Sequence, residues 1–372
     1  MKLSILQEDL NYGASLASRF VSSRAQIPIL GNILIRATGG KLVLEATNLE
    51  SGIHIPLGAK IEEEGELTVP ARILVELTST LPAGRVEILK DKDILNVSSN
   101  NISASISGIP TDGYPKIPNK VENPTATFKK EAFSLLTKQV SYAASPDEGR
   151  PVLTGIFVEI GEGAIAVATD GFRMSAKDLK GEELFQIKKT DKKTFLLPAR
   201  TISELDRSLP KNVQEVKVEV REKEGQLIFD AGTLVLTSRV IEGNFPDYKK
   251  VMPKEWGTKM RVGREEFARA VKASSVFARE SGGVIKIKFE KDGLLLSSES
   301  NQYGKEEVGV EGEFEGEEAQ IAFNYRYILE FLGSVTGQTV EIRTQSPTSP
   351  AVFTDPQDKS FTHVIMPVRI SS

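Results

Sequence analysis

"PARILVELTSTLP" (70–82) and "PARTISELDRSLP" (198–210) carry Pro, Ala, Arg, Glu, Leu, Leu and Pro at matching places, seven of thirteen. A helix written twice points to duplicated units. A fainter third copy, "NYRYILEFLGSV" (324–335), sets Arg326 against Arg72 and Arg200, and Glu330 against Glu76 and Glu204. Pro70 and Pro198 fall where a first helical turn is expected, because a missing N–H costs nothing there. Leu81-Pro82 and Leu209-Pro210 stop the first two helices.

Two further blocks repeat. "PILGNILIRATGGKLVLEATN" (28–48), "PVLTGIFVEIGEGAIAVATD" (151–170) and "VIKIKFEKDGLLLSSES" (284–300) each read as two apolar strands joined at a glycine-bearing turn. "SILQEDLNYGASLASRF" (4–20), "TFKKEAFSLLTKQVSYA" (127–143) and "RVGREEFARAVKASSVF" (261–277) align Leu10, Phe133 and Phe267, and each gives a short strand and then an amphipathic helix. Each unit closes with strands, most plainly "NISASISGI" (101–109), whose Ile102, Ala104 and Ile106 alternate with serines. The fold class expected is α+β: three sheet-and-helix units over 1–121, 122–250 and 251–372. The joints fall in "TDGYPKIP" (111–118) and "GNFPDYKKVMP" (243–253).

The bulk numbers agree with such an architecture. The chain has 372 residues, 40% of them hydrophobic and 26% charged, which is ordinary globular composition. No cysteine is present, so disulfides, thiolate metal sites and cysteine nucleophiles are excluded. No apolar run is long enough to span a membrane, and Glu8 and Asp9 interrupt the place of a signal segment, so a cytoplasmic protein is expected. A net charge of −4 argues against nucleic acid only if charge is spread evenly over the surface.

Advancing about 100° per residue along the helices shows that it is not spread evenly. In the third unit Phe267, Ala270, Val271, Ser274, Phe277 and Ala278 share one side, while Arg269, Lys272 and Arg279 share the other. In the second unit Phe133, Leu136, Val140 and Ala144 form the apolar stripe, opposite Lys130 and Lys138. Arg72, Arg200 and Arg326 add cations from the second helices, diluted by Glu76, Glu204 and Glu330. One reading is a set of solvated faces. The other is a joint surface for a phosphate backbone, contacted without regard to sequence. Aromatic residues are scarce on these faces, which favours duplex over stacked single strands.

Catalytic patterns are missing. His54 and His363 stand alone, without a neighbouring histidine or cysteine, and neither phosphate-loop nor metalloprotease nor nucleophile-elbow spacing occurs. No enzyme, cofactor or metal site is expected. One cluster is less ordinary. "ATDGFRMS" (168–175) reads as a strand ending in an Asp-Gly turn, yet it differs from its repeat partner "ATNLESGI" (46–53) by placing Phe172, Arg173 and Met174 there. Together with "NFPDYKKVMP" (244–253) and the apolar terminus "HVIMPVRI" (363–370), it suits a cleft for apolar peptide side chains. From the residues alone, a DNA-embracing protein, a monomeric three-repeat scaffold for other proteins and a carboxylate-based hydrolase all stay open.

The chain resembles the beta subunits of bacterial DNA polymerase III, the sliding clamps. The resemblance runs along the whole chain and is sharpest in "SRAQIPILGNILI" (23–35), "ATDGFRM" (168–174), "EGNFPDYKKVMP" (242–253) and "VIMPVR" (364–369). It implies a crescent of three units that pairs head to tail into a ring around duplex DNA. Matching positions imply that Arg24, Arg72 and Arg200 face the duplex, and Arg326 follows through the internal repeat. The implied cleft for polymerase and clamp-loader peptides comprises Leu153, Thr169, Gly171, Phe172, Arg173, Met174, Pro246, Lys250, Val251, Val364, Met366, Pro367 and Arg369. Its aliphatic members take the peptide's Leu and Phe side chains, and Arg173 its polar or terminal groups. For the seam between two copies the candidates are Ile106, on a strand expected to pair with the third unit of the partner, and Phe277. Phe172 stands where the family commonly has His, and "SPTSP" (346–350) brings two prolines to the cleft rim.

Overall fold

The computed structural model describes residues 1–22, 27–160, 164–179, 184–187, 193–253, 255–300 and 302–369. They form two compact units: Met1–Lys130 with Leu184–Lys189 and Glu204–Val240, and Glu131–Glu183 with Thr190–Ser203 and Ile241–Ser372. No helix among the described residues is long and apolar enough to cross a membrane.

The six expected helices are present: α1 (Gln7–Ala17), α2 (Ala71–Thr80), α3 (Lys130–Gln139), α4 (Ala199–Ser208), α5 (Arg264–Ala278) and α6 (Tyr325–Ser334). A short strand leads into the first helix of each repeat, Lys2–Leu6 before α1, Ala126–Lys129 before α3 and Thr258–Gly263 before α5. Pro70 and Pro198 are the last residues of the strands that feed α2 and α4, one step earlier than the first turn expected for them. Proline suits this place because its fixed φ carries the chain from extended to helical geometry.

The first unit holds two antiparallel sheets. In the five-stranded one, Ile102–Ser107 is an edge strand, paired on one side with Ile94–Ser99. The nine-stranded sheet runs from Phe185–Ile187 to Gly65–Pro70, and within it Val235–Arg239 of the second repeat pairs with Ser51–Gly58 of the first. In the second unit one twelve-stranded sheet runs from Lys193–Pro198 to Ala319–Asn324, and Arg173–Asp178 of the second repeat pairs with Asp358–Ile365 of the third. Sheets therefore pass from one repeat into the next. That continuity is why the compact bodies divide the middle repeat and do not follow its ends.

The helices pack on these sheets by the faces that the periodicity marks. Leu10 and Ala14 of α1 are fully buried, and at Gly13 a Cβ would lie 2.6 Å from Leu57 Cδ1, so the helix packs closely on the sheet and a larger residue there would have to displace the Leu57 tip. In the third repeat Phe331 stacks on Phe361 and His363 and meets Phe353 at 5.6 Å, forming an aromatic centre beneath α6. Two details differ from the sequence reading. α3 ends at Gln139 and tightens into a short 3₁₀ turn, Ser141–Ala143, which rotates Ala143 into the core in place of Ala144. In α5 the buried stripe takes Ser274 and Ser275, leaving Phe277 half-buried.

Candidate functional site

The turn at 169–173 is built by side chains holding backbone. Thr169 Oγ1 donates to the Arg173 carbonyl at 2.6 Å and accepts from Gly171 N at 3.1 Å. Asp170 Oδ1 accepts from Phe172 N at 2.8 Å and from Arg173 N at 3.0 Å. Gly171 takes the left-handed φ of +92° that the turn demands. Its repeat partner has the same framework. Thr47 Oγ1 donates to the Ser51 carbonyl at 2.8 Å, Asn48 Oδ1 accepts from Glu50 N and Ser51 N, and Leu49 sits at φ +73°. Even the next contact is shared: Met366 N donates to the Phe172 carbonyl at 2.8 Å, and Arg239 N donates to the Glu50 carbonyl at 2.8 Å. The turn itself is therefore structural. What the second copy adds is chemistry, with Phe172 and Arg173 standing where the first has Glu50 and Ser51.

Phe172 projects outward, 59% exposed, and Met366, bonded to it through the backbone, is 38% exposed. Beneath them Met174 and Val364 face each other across paired strands, in an apolar cluster with Val167, Ala176, Tyr248 and Val352. The joint segment contributes Phe245, stacked 5.0 Å from Phe157, and Tyr248, which heads a 3₁₀ turn that ends at the exposed Lys250 and is followed by the exposed Val251. Pro246, Gly171 and Arg369 are exposed, while Leu153, Thr169 and Pro367 are half-buried. The segment 346–350 forms a closed turn, with Ser349 N donating to the Ser346 carbonyl at 3.1 Å. It leads into the strand Ala351–Asp355, whose Val352 belongs to the same cluster.

Met174, Val364 and Arg173 differ from the expectation that they line the cleft. Met174 and Val364 are buried, within the apolar cluster beneath Phe172 and Met366. Arg173 is only 8% exposed and is committed internally. Its Nε donates to Asp170 Oδ2 at 3.1 Å, one terminal nitrogen donates to the Tyr142 carbonyl at 2.6 Å and the other pairs with Glu330 Oε2. Its guanidinium also lies over the rings of Tyr327, at 4.5 Å, and Tyr142, at 5.4 Å. A buried guanidinium requires that degree of saturation, so it cannot also reach for a peptide terminus. Sequence reasoning missed Tyr142, Tyr327 and Glu330, and also Arg150, which reaches the Asp170 carbonyl at 3.4 Å beside Gly171. The aligned glutamates of the three second helices were the one available signal.

His363 is fully buried at this site, its Nδ1 2.7 Å from Ser175 Oγ and 3.1 Å from the Tyr142 hydroxyl. Burial and then the neighbouring Arg173 charge push its pKa down to about 3, so the imidazole is neutral. Burial likewise pushes the Tyr142 hydroxyl up to about 12. Both groups are hydrogen-bonding struts, and none of this geometry supplies a general base or a nucleophile.

The helix cations are mostly where periodicity puts them. Arg72, Arg200, Arg326, Lys138, Arg269, Lys272 and Arg279 are exposed, and Arg24 lies outside the described residues. Lys130 is the exception among the charges read from the second unit. Its Nζ donates to the Pro210 carbonyl at 2.7 Å and closes the end of α4. At the expected seam, Ile106 is 5% exposed and packs in the first unit's core. It shares a face with Ile102, but core covers only its end of the strand, and Ile102 is the isoleucine left open.

Three family models match the chain in succession: the N-terminal domain of the DNA polymerase III beta subunit over residues 1–118, its central domain over 127–247 and its C-terminal domain over 249–369. The chain belongs to the DNA polymerase III beta-subunit family. Beta sliding clamps of Synechococcus elongatus and Caulobacter vibrioides are each 30% identical to it over their whole lengths. The sliding clamp of Bacillus subtilis superposes with a TM-score of 0.91 at 26% identity, and the beta subunit of Thermotoga maritima with 0.89 at 25%, each covering all of both chains. The chain's function is that of the family, a DNA sliding clamp serving polymerase processivity without a catalytic role of its own. The alternatives of a DNA-free scaffold and of a hydrolase are not favoured.

Proposed function

We propose that two copies of this clamp join head to tail and enclose duplex DNA, with the three domains at 1–121, 122–250 and 251–372 of each copy turning their helices inward. The observation carrying this reading is the recurrence of an exposed arginine at one place in each second helix, Arg72, Arg200 and Arg326, joined by Lys138, Arg269, Lys272 and Arg279. Phosphate contacts of this kind are independent of sequence and weaken with salt, as a sliding protein requires. Enclosure keeps the duplex at high effective concentration, so weak contacts suffice for long residence. Arg24 belongs to the same set by motif.

The homodimer is supported by two open strand edges. Among the described residues Ile102–Ser107 is unpaired along one side, and Ile102 on it is exposed. In the third repeat Gly304–Gly316 pairs with Gly293–Ser300 along its first half and with Thr258–Gly263 only along its last residues, which leaves the first half open on one side among the described residues. Pairing the two edges satisfies backbone groups that are otherwise left to water. Val276 and Phe277 of α5 supply apolar surface on the third repeat.

The partners outside the ring are polymerase and clamp-loader subunits, docked through short peptides containing Leu and Phe. Support comes from three exposed apolar side chains, Phe172, Val251 and Met366, standing over a buried apolar floor. A fluorescence titration with such a peptide tests the assignment. Met366→Ala, or deletion of residues 366–372, weakens binding without unfolding the protein, and unchanged affinity in both overturns the cleft.

A further inference from the structure

The glutamate that aligns in all three second helices has a different partner in each. On α2, Glu76 accepts from Arg72 Nε at 2.8 Å, one turn back on the same helix. On α4, Glu204 accepts from Arg207 at 3.1 Å and lies 3.8 Å from Arg19. On α6 the matching arginine, Arg326, is also four residues before the glutamate, but its Nε donates to the Tyr325 hydroxyl at 3.3 Å. Glu330 turns instead to Arg173. The third repeat has thus redirected a helix-face carboxylate to the turn that presents Phe172.

That redirection has a physical reason. Arg173 holds its charge where water hardly reaches, and Asp170, although it balances that charge, engages only Nε and leaves the terminal nitrogens to other acceptors. One Asp170 oxygen is occupied by two backbone N–H groups, and the other by Arg173 Nε. Glu330 closes the far end of the guanidinium, while Tyr327, three residues before it on α6, lies against the guanidinium face. Without Glu330 one terminal nitrogen of a nearly buried guanidinium loses its charged acceptor, and its cheapest escape is to swing toward solvent. It would draw Asp170 with it, and through Asp170 the backbone of Phe172 and the Met366 N–H bonded to it.

We propose that Glu330 is a positioning residue for the peptide cleft, holding Arg173 so that the turn 169–173 keeps Phe172 and Met366 in place for an incoming apolar peptide. This rests on the cleft reading above. Glu330 touches no peptide itself, and half of its side chain is open to water, so its loss leaves the core intact.

The test is a titration of the full-length protein with a fluorescein-labelled synthetic peptide containing Leu and Phe, run beside thermal unfolding. Glu330→Ala should weaken binding about ten-fold, the scale of one lost charge-assisted hydrogen bond, with the unfolding midpoint moved by less than about 2 °C. Glu330→Gln, which keeps the shape but not the charge, should weaken it likewise, and Glu330→Asp should restore most of the affinity. Met366→Ala serves as the control on the cleft itself. If Met366→Ala weakens binding and Glu330→Ala stays within two-fold of the wild type, the positioning role is overturned and the cleft stands. If neither variant changes affinity, the cleft reading fails first. Equal weakening in Ala and Asp with a clearly lowered midpoint would make Glu330 merely structural and overturn the proposal as well.

Discussion

At the scale of single residues, the proposed cleft separates into side chains that present themselves and side chains that hold them. Phe172 and Met366 belong to the first kind. Truncating either exposed side chain removes the apolar area a peptide would cover, so Phe172→Ala should weaken peptide binding by about 1–2 kcal/mol, read by the same titration. Phenylalanine where the family commonly has histidine replaces a titratable contact by packing, so this loss should be the same at pH 6 and pH 8. His363 belongs to the second kind. Its pKa in the folded protein lies below the unfolded value of about 6.5, so the folded state binds fewer protons. Its contribution to stability is complete above that value and is lost as pH falls from there toward about 3. In proton NMR the His363 ring signal should therefore stay unshifted between about pH 8 and pH 5, and a midpoint inside that range would contradict its burial. Much of this scale was legible beforehand, because Phe172, Met366 and Val251 stand out as apolar side chains among turn residues. Arg173 was not. Its exposure depends on Tyr142, Tyr327 and Glu330, which lie far from it in the chain and meet it only through the sheet that joins the second and third repeats.

At the scale of elements, the repeats made the fold readable. Six helices and the hairpins between them follow from apolar spacing, and the helix-ending Leu-Pro pairs fall just beyond α2 and α4. What spacing could not show is sheet continuity, since strands such as Val235–Arg239 and Ser51–Gly58 are distant in sequence and pair by edge complementarity alone. Nor could it show that Ile106 and Ile102, on one face of one strand, end in different surroundings. Some turns are nevertheless written plainly. At Asp292-Gly293, Gly293 has φ +147°, and a Cβ there would lie 2.0 Å from the Val310 carbonyl oxygen. Backbone cannot give way as a side-chain tip can. Gly293→Ala should cost about 2–3 kcal/mol of stability by chemical denaturation, through strain at this one position, with peptide binding below the transition unchanged. A cost below half a kcal/mol would mean that the hairpin is free to rearrange.

At the scale of the whole molecule, the net charge of −4 coexists with cations at equivalent places on the helices, which is how an acidic protein can hold DNA. The seam is expected at the open edges of Ile102–Ser107 and Gly304–Gly316. Ile102→Glu should shift sedimentation toward a single chain of about 41 kDa, in keeping with the 40.7 kDa of one copy, while Ile106→Glu should unfold the first unit before any such shift is seen. Enclosure of DNA is the central claim, and topology tests it more directly than affinity does. The protein is assembled on nicked circular DNA with a loader, the complex is isolated, and the circle is then cut. Retention on the closed circle followed by rapid loss from the linear form is the outcome this account predicts. Equal retention on circle and linear DNA would contradict it, since the protein would then grip the duplex instead of surrounding it.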